Sequence, residues 1–100
     1  MTSTVTLLSN MSRLEGFIAT GKEALQNNNK TELFASAFNI MICLRNFGFS
    51  DTYEDSFVFV DGMNANKKDI EKAGKHYLEL CQFVELSLDR ILTEINPEEV

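Results

Sequence analysis

The chain has 100 residues, of which 44% are hydrophobic and 24% are charged, a composition typical of one folded domain and not of a disordered segment. The formal net charge is −6, and residues 51–100 carry twelve acidic against five basic side chains, so we expect no direct binding to nucleic acid or to anionic membranes. No apolar run approaches the roughly 20 residues that span a bilayer, and the first residues lack the pattern of a signal peptide, so the expected location is the cytoplasm.

The first predicted helix covers residues 4–27. Its apolar residues recur at helical spacing and form one stripe, made of Leu7, Met11, Leu14, Phe17, Ile18, Gly21 and Leu25. A later start at Ser12 stays open, because Ser12 and Glu15 have the spacing of a capping box. Three consecutive asparagines, residues 27–29, then end the helix.

The second predicted helix starts near Thr31, because Asn29 and Glu32 have the spacing of a helix cap, and it ends at Gly48. This segment is apolar on nearly all sides. Its narrow polar strip consists of Glu32, Ser36, Asn39 and Asn46. A helix of this kind is predicted to be the central and most buried one.

A short third helix is predicted over residues 52–61, with Asp51 and Glu54 at cap spacing and Gly62 as its end. Residues 56–60 are also rich in β-branched and aromatic side chains, which is typical of a short strand. Such a strand would have no partner elsewhere in the chain, so the helix is favoured.

The fourth predicted helix runs over residues 67–95, with Asn66 and Asp69 as candidate caps and Pro97 just beyond its end. Its apolar stripe is continuous and consists of Ile70, Ala73, Tyr77, Leu80, Cys81, Val84, Leu88, Ile91, Leu92 and Ile95. Four amphipathic segments with short connections predict a single all-α domain over residues 1–100, a small four-helix bundle with a long carboxy-terminal helix.

Neither a catalytic, a cofactor-binding nor a metal site is predicted, so the protein is not expected to be an enzyme. The single histidine, His76, lies away from the stripe that contains Cys81, which disfavours a Cys–His nucleophile pair. The two cysteines and one histidine lack metal-ligand spacing, and residues 51–55 lack the glycine of a calcium loop. Cys43 and Cys81 are predicted to be buried thiols, with a disulfide as the alternative.

The order of charges along the fourth helix predicts a homodimer. Four lysines lie near its start (Lys67, Lys68, Lys72 and Lys75), and acidic residues lie towards its end, which is the reverse of what the helix dipole favours. Antiparallel pairing of two copies of this helix would place the lysines of each copy against the acids of the other. The alternative is a solvated face without a partner.

Two surfaces are predicted to bind a partner. The first is an apolar patch of Phe83 and Leu86, which fall outside the main stripe of the fourth helix and are expected to contact either a partner or the second copy of a dimer; the alternative is that helix three or the amino terminus covers them. The second is an acidic surface, expected to dock on a basic groove of another protein and made of Asp51, Glu54, Asp55, Asp61, Glu85, Asp89 and Glu94. The alternative is that this acidic segment is a solvated loop. Its aromatic side chains would then complete the core, and Arg45 would hold the loop in place by a salt bridge.

These features predict a non-enzymatic protein-binding module that acts as a small acidic regulator or inhibitor of a protein partner. In its narrower form, the protein occupies the nucleic-acid-binding groove of a DNA- or RNA-handling enzyme, an inference by analogy with other compact acidic inhibitors. The alternative is a secretion or assembly chaperone, or an immunity-type protein, that binds its partner through the apolar patch.

Overall fold

The computed structural model describes residues 4–95, with side chains described for residues 5–93, and this part of the chain is an all-α four-helix bundle. The helices are α1 (Thr4–Gln26), α2 (Lys30–Asn46), α3 (Ser50–Ala65) and α4 (Ile70–Ile95). The residues described contain no strand. None of the helices described is both long and apolar enough to cross a membrane.

The predicted boundaries of α1 and α2 are confirmed to within one or two residues. The backbone of Asn28 adopts a φ of +56°, which is left-handed and ends the helical path after α1. The Asn29 side chain then caps α2, because its oxygen accepts from the Glu32 N–H at 3.1 Å and its amide donates to the Glu32 carboxylate at 3.1 Å. Gly48, with φ +82°, follows the end of α2 as predicted. The alternative start of α1 at Ser12 is wrong, since α1 is continuous through this residue.

The predicted length of α3 is wrong, because the helix extends from Ser50 through Gly62 to Ala65. Gly62 does not end the helix but allows α3 to approach α4: a Cβ at this position would lie 2.7 Å from the Nδ1 atom of His76. The predicted cap at Asp51 is also wrong, since the residue preceding α3 is Phe49, without a side-chain cap.

Residues 56–60 are helical because only one side of this segment faces the core. Ser56, Val60 and Met63 are buried at helical spacing, whereas Phe57 and Val58 are exposed. The buried Ser56 hydroxyl donates to the Tyr53 carbonyl at 2.6 Å, which satisfies its polar group inside the bundle. The strand alternative is therefore wrong.

The start of α4 is three residues later than predicted, at Ile70. The cap is Asp69, whose carboxylate accepts from the N–H groups of Glu71 at 3.1 Å and Lys72 at 3.3 Å. Asn66 instead closes α3, because its side-chain amide donates to the Gly62 carbonyl at 2.8 Å. The 26 residues of α4 rise about 39 Å and account for most of the 46 Å length of the molecule.

The helices pack mainly as two pairs, α1 with α2 and α3 with α4. Helices α2 and α4 also meet across the centre of the bundle, whereas α1 and α3 do not contact each other. Tyr77 on α4 joins the two pairs: its side chain is fully buried, and its hydroxyl donates to the carbonyls of Phe17 and Ile18 on α1, each at 3.1 Å. The ring lies directly over Gly21, where a Cβ would overlap the Tyr77 hydroxyl.

Candidate protein-binding surfaces

The outer face of α2 is apolar and exposed, which the sequence did not predict. Leu33, Ile40 and Leu44 are completely buried on the inner face, whereas Phe38 is 50% and Ile42 is 54% exposed. The expected polar strip is wrong at Ser36, which is buried. Helix α2 has the largest buried fraction of the four helices among the residues described, as predicted, but its burial is confined to one side.

This outer face continues onto α3 and forms what we call the α2–α3 groove. Its members are large apolar or aromatic side chains that are exposed or only half-buried, namely Phe34, Phe38, Ile42, Tyr53 and Phe57. The rings of Tyr53 and Phe57 contact each other edge to face, with centroids 4.9 Å apart. The apolar side chains of the two helices are thus continuous across the gap between α2 and α3.

Two depressions lie along the α2–α3 groove, one on each side of Phe38. The larger, of about 580 Å³, is lined by Lys30, Thr31, Phe34, Ala35, Phe38, Asn64, Lys67 and Lys68. The smaller, of about 230 Å³, is lined by Phe38, Met41, Ile42, Arg45, Tyr53, Phe57 and Val60. Phe38 is common to both, so this one ring lies between the two depressions.

The charged side chains that line the α2–α3 groove are all basic. Lys30, Lys67 and Lys68 surround the larger depression and Arg45 borders the smaller one, while no acidic side chain of residues 5–93 lines either. Arg45 is exposed and forms no ion pair within the part of the chain that the structure describes, so the predicted salt bridge from Arg45 to the acidic segment is wrong.

The structure divides the predicted acidic surface between two helices. Asp51, Glu54, Asp55 and Asp61 are exposed on α3, where Glu54 and Asp61 lie on one face with the 66% exposed Val58 between them. These four carboxylates form no ion pair with the residues described.

The other acidic residues lie on α4. Glu85 is directed towards α1, because its carboxylate lies 3.6 Å from the Lys22 ammonium group. Asp89 is exposed one turn further along, and the side chain of Glu94 lies outside the described part of the chain. Glu85 therefore lies on the side of α4 that faces α1. Because α1 and α3 do not contact each other, Glu85 and the acidic residues of α3 belong to different surfaces.

Phe83 and Leu86 do not form one exposed patch. Phe83 is half-buried, and its ring packs on Phe59 of α3 with a centroid distance of 5.4 Å. Leu86 is 60% exposed on the outer face of α4, among polar neighbours. A single exposed leucine is common on protein surfaces and does not by itself indicate a binding site.

The two cysteines of the chain lie in the interior of the bundle. Both cysteines are buried free thiols, as predicted. Burial raises the pKa of Cys81 to about 11 despite the opposing effect of the Tyr77 hydroxyl, and burial also raises the pKa of Cys43. Both thiols are therefore protonated at neutral pH and are weak nucleophiles.

His76 lies on the surface facing α3 and contributes to no converging set of side chains. Its Nδ1 atom is 3.6 Å from the carboxylate of Glu79, one turn away on the same helix. Within residues 5–93, no group of three or more His, Cys, Asp or Glu side chains is placed to hold a metal ion.

In comparisons with known proteins, no protein-family model, no curated protein and no solved structure matches the chain. The chemistry of its surfaces is therefore the basis on which a function is inferred.

The principal residues that sequence reasoning missed are Phe38 and Ile42. The signal was present, because they lie one turn apart and opposite the stripe of Leu33, Ile40 and Leu44. A helix with two apolar faces was interpreted as a buried helix, although a four-helix bundle of this size leaves one side of each helix towards solvent.

Proposed function

We propose that this chain is a non-enzymatic protein-binding module that takes apolar side chains of a protein partner into the α2–α3 groove. The observation that supports this proposal is the exposure of Phe38, Ile42 and Phe57 on two adjacent helices, beside a depression of about 580 Å³. The largest contiguous apolar patch on the surface of a monomeric protein is often an interaction site. Apolar grooves between helices are a common place for a ligand or partner to bind.

A module of this kind acts by occupying or shielding its partner, as regulators, inhibitors and chaperones do. The apolar lining favours the chaperone or immunity-type class, in which the partner presents an apolar segment. Cytoplasmic residence remains part of this proposal.

The acidic face of α3 supports a second candidate function, that of an acidic inhibitor docking on the basic groove of a DNA- or RNA-handling enzyme. Asp51, Glu54 and Asp61 are exposed and have no basic partner among the described residues. The two candidates differ in their response to salt. Binding through the groove keeps the contribution of its apolar contacts at high salt, whereas binding through the α3 acids alone is lost as the salt concentration rises.

Affinity capture with matched variants tests the proposal. Phe38→Gln removes the ring shared by both depressions, and Leu86→Gln makes a similar change at an exposed site on α4. We expect the wild type and Leu86→Gln to capture the same protein from cells of the source organism, and Phe38→Gln to lose it. Equal capture by all three would contradict the proposal. Loss with Glu54→Gln/Asp61→Gln but not with Phe38→Gln would support the acidic inhibitor instead.

The homodimer through α4 is a separate proposal with its own test. Phe83→Glu would disturb the contact between Phe83 and Phe59, so Leu86→Glu is the better variant for placing a charge on the outer face of α4. Light scattering would show a wild-type dimer that Leu86→Glu converts to a monomer. A wild-type monomer at concentrations up to about 1 mM, the limit of weak association, would contradict the dimer.

A further inference from the structure

We propose that the occupant of the α2–α3 groove is an amphipathic helix of another protein, with acidic side chains placed beside Lys30, Lys67 and Lys68. This inference rests on the proposed function of the groove and adds the chemistry of the partner. Three observations support it. They are the positive charge of the residues that line the groove, the distance between the two depressions, and the like-charge contacts that other occupants would make.

The charges of the groove are opposite to those of the chain as a whole. The protein has 15 acidic and nine basic residues. Four of the basic residues line the two depressions, and none of the acidic residues whose side chains the structure describes does. A partner with carboxylates at the matching positions gains opposite-charge contacts next to apolar walls, where screening by water is weaker than at an open surface. A basic partner would instead place like charges together.

The unequal distribution of the basic side chains along the groove fixes the orientation of the partner helix. Three lysines surround the larger depression, at the first turn of α2, and Arg45 alone borders the smaller one near its last turn. The acidic residues of the partner are therefore concentrated at the end that meets Lys30, Lys67 and Lys68.

The two depressions set the spacing of the partner's apolar anchors. The α2 residues that line the larger one centre on Phe34, and those that line the smaller one centre on Ile42. Eight residues of α2 rise about 12 Å. On a partner helix lying along α2, this distance separates residues i and i+7 or i+8, which lie on the same face. The partner thus inserts one large apolar side chain on each side of Phe38.

Two other occupants fit these charges less well. Two copies of this chain meeting groove to groove would place Lys30, Lys67 and Lys68 of one copy against the same lysines or Arg45 of the other, which are like charges in either direction. An anionic membrane is a broad surface and would meet Glu54 and Asp61 on the neighbouring face of α3 at the same time as the lysines, whereas a partner helix about 10 Å wide can lie along α2 with its acids at the lysines.

Selection from a displayed library of random 16-residue peptides tests this proposal without knowledge of the natural partner. The full-length wild type is the target, and the selected peptides are then titrated against both the wild type and Phe38→Gln. We expect the strongest binders to be net acidic, with large apolar residues seven or eight positions apart. Their affinity for Phe38→Gln should be roughly tenfold or more weaker, as for a central residue of an interface.

Two double variants then test the role of the lysines. Lys67→Gln/Lys68→Gln removes two charges at the groove, and Arg13→Gln/Lys75→Gln removes two exposed charges elsewhere. Fluorescence anisotropy at low salt should show several-fold weaker binding of a selected acidic peptide to the first variant only.

Each contrary result has a defined meaning. Selected peptides that are neutral or basic, or equal weakening by the two double variants, would overturn the acidic partner while leaving the groove as a protein-binding site. Failure to obtain any peptide that prefers the wild type to Phe38→Gln would overturn both this inference and the proposed function. Preferential binding of the wild type to anionic phosphatidylglycerol vesicles, lost in Phe38→Gln, would assign the groove to a membrane and would overturn the helical partner.

Discussion

Replacement of Gly21 by alanine should destabilise the bundle, although the same replacement normally stabilises a helix. A Cβ at position 21 would overlap the hydroxyl and the adjoining ring carbon of Tyr77, which is fully buried. Relieving that overlap displaces the ring, at about 1–3 kcal/mol for an overpacked core. It also weakens the hydrogen bonds from Tyr77 to the α1 carbonyls, at about 1 kcal/mol. The helix-propensity gain of alanine offsets about 1 kcal/mol of this cost.

The expected net loss in the free energy of unfolding is about 2 kcal/mol, which lowers the melting temperature by roughly 8–16 °C for a domain of this size. Thermal denaturation followed by circular dichroism measures it. The matched control is Gly16→Ala on the same helix, where a Cβ meets no atom within 4 Å, so this variant should be stabilised by about 0.5–1 kcal/mol. If Gly21→Ala were stabilised as much as Gly16→Ala, the close contact between Tyr77 and α1 would be refuted.

Three smaller predictions follow from the cap, the buried thiol and the surface ion pair. Asn29→Ala should cost about 1 kcal/mol in urea denaturation through loss of the α2 cap, and an unchanged midpoint would contradict that role. The pKa of Cys81 is about 11 in the folded state against an ordinary 9.0, so the free energy of unfolding falls as the pH rises from 9 through 11. Urea denaturation across this range should show a decline about 2–3 kcal/mol smaller for Cys81→Ala than for the wild type. Identical pH profiles for the two proteins would refute the raised pKa. Lys22→Ala should cost less than about 1 kcal/mol, because its partner Glu85 is half-exposed, and a larger loss would show a stronger pair.

The all-α bundle could be predicted because local signals and hydrophobic periodicity agree in α1, α2 and α4. The asparagines at 27–29 stop one helix and cap the next, and Asn29 does so in the structure with the predicted partner, Glu32. The stripe from Ile70 to Leu88 predicted the buried side of α4 because a single apolar face leaves one orientation towards the core.

The extent of α3 could not be predicted because glycine has two roles that look the same in a sequence. At Gly48 the backbone is left-handed and the helix ends, whereas at Gly62 the helix continues and the missing Cβ makes room for His76. Only the tertiary contact with α4 separates these cases.

The exposure of two aromatic side chains could not be predicted for a related reason. Phe83 looked unpartnered on α4, but α3 supplies Phe59 to cover it. Phe38 looked buried on α2, but its side of the helix faces solvent beside α3. Periodicity gives the face on which a residue lies, and the arrangement of neighbouring helices decides whether that face is covered.

Site-specific photo-cross-linking tests the central claim, that the α2–α3 groove is the surface that meets a partner. p-Benzoylphenylalanine would be incorporated at Phe38 in one sample and, as the matched control, at Leu86 in another, since both side chains are at least half-exposed. Irradiation in cells of the source organism should give a protein adduct from position 38 that position 86 does not give. An adduct from position 86 alone, or the same adducts from both positions, would contradict the claim.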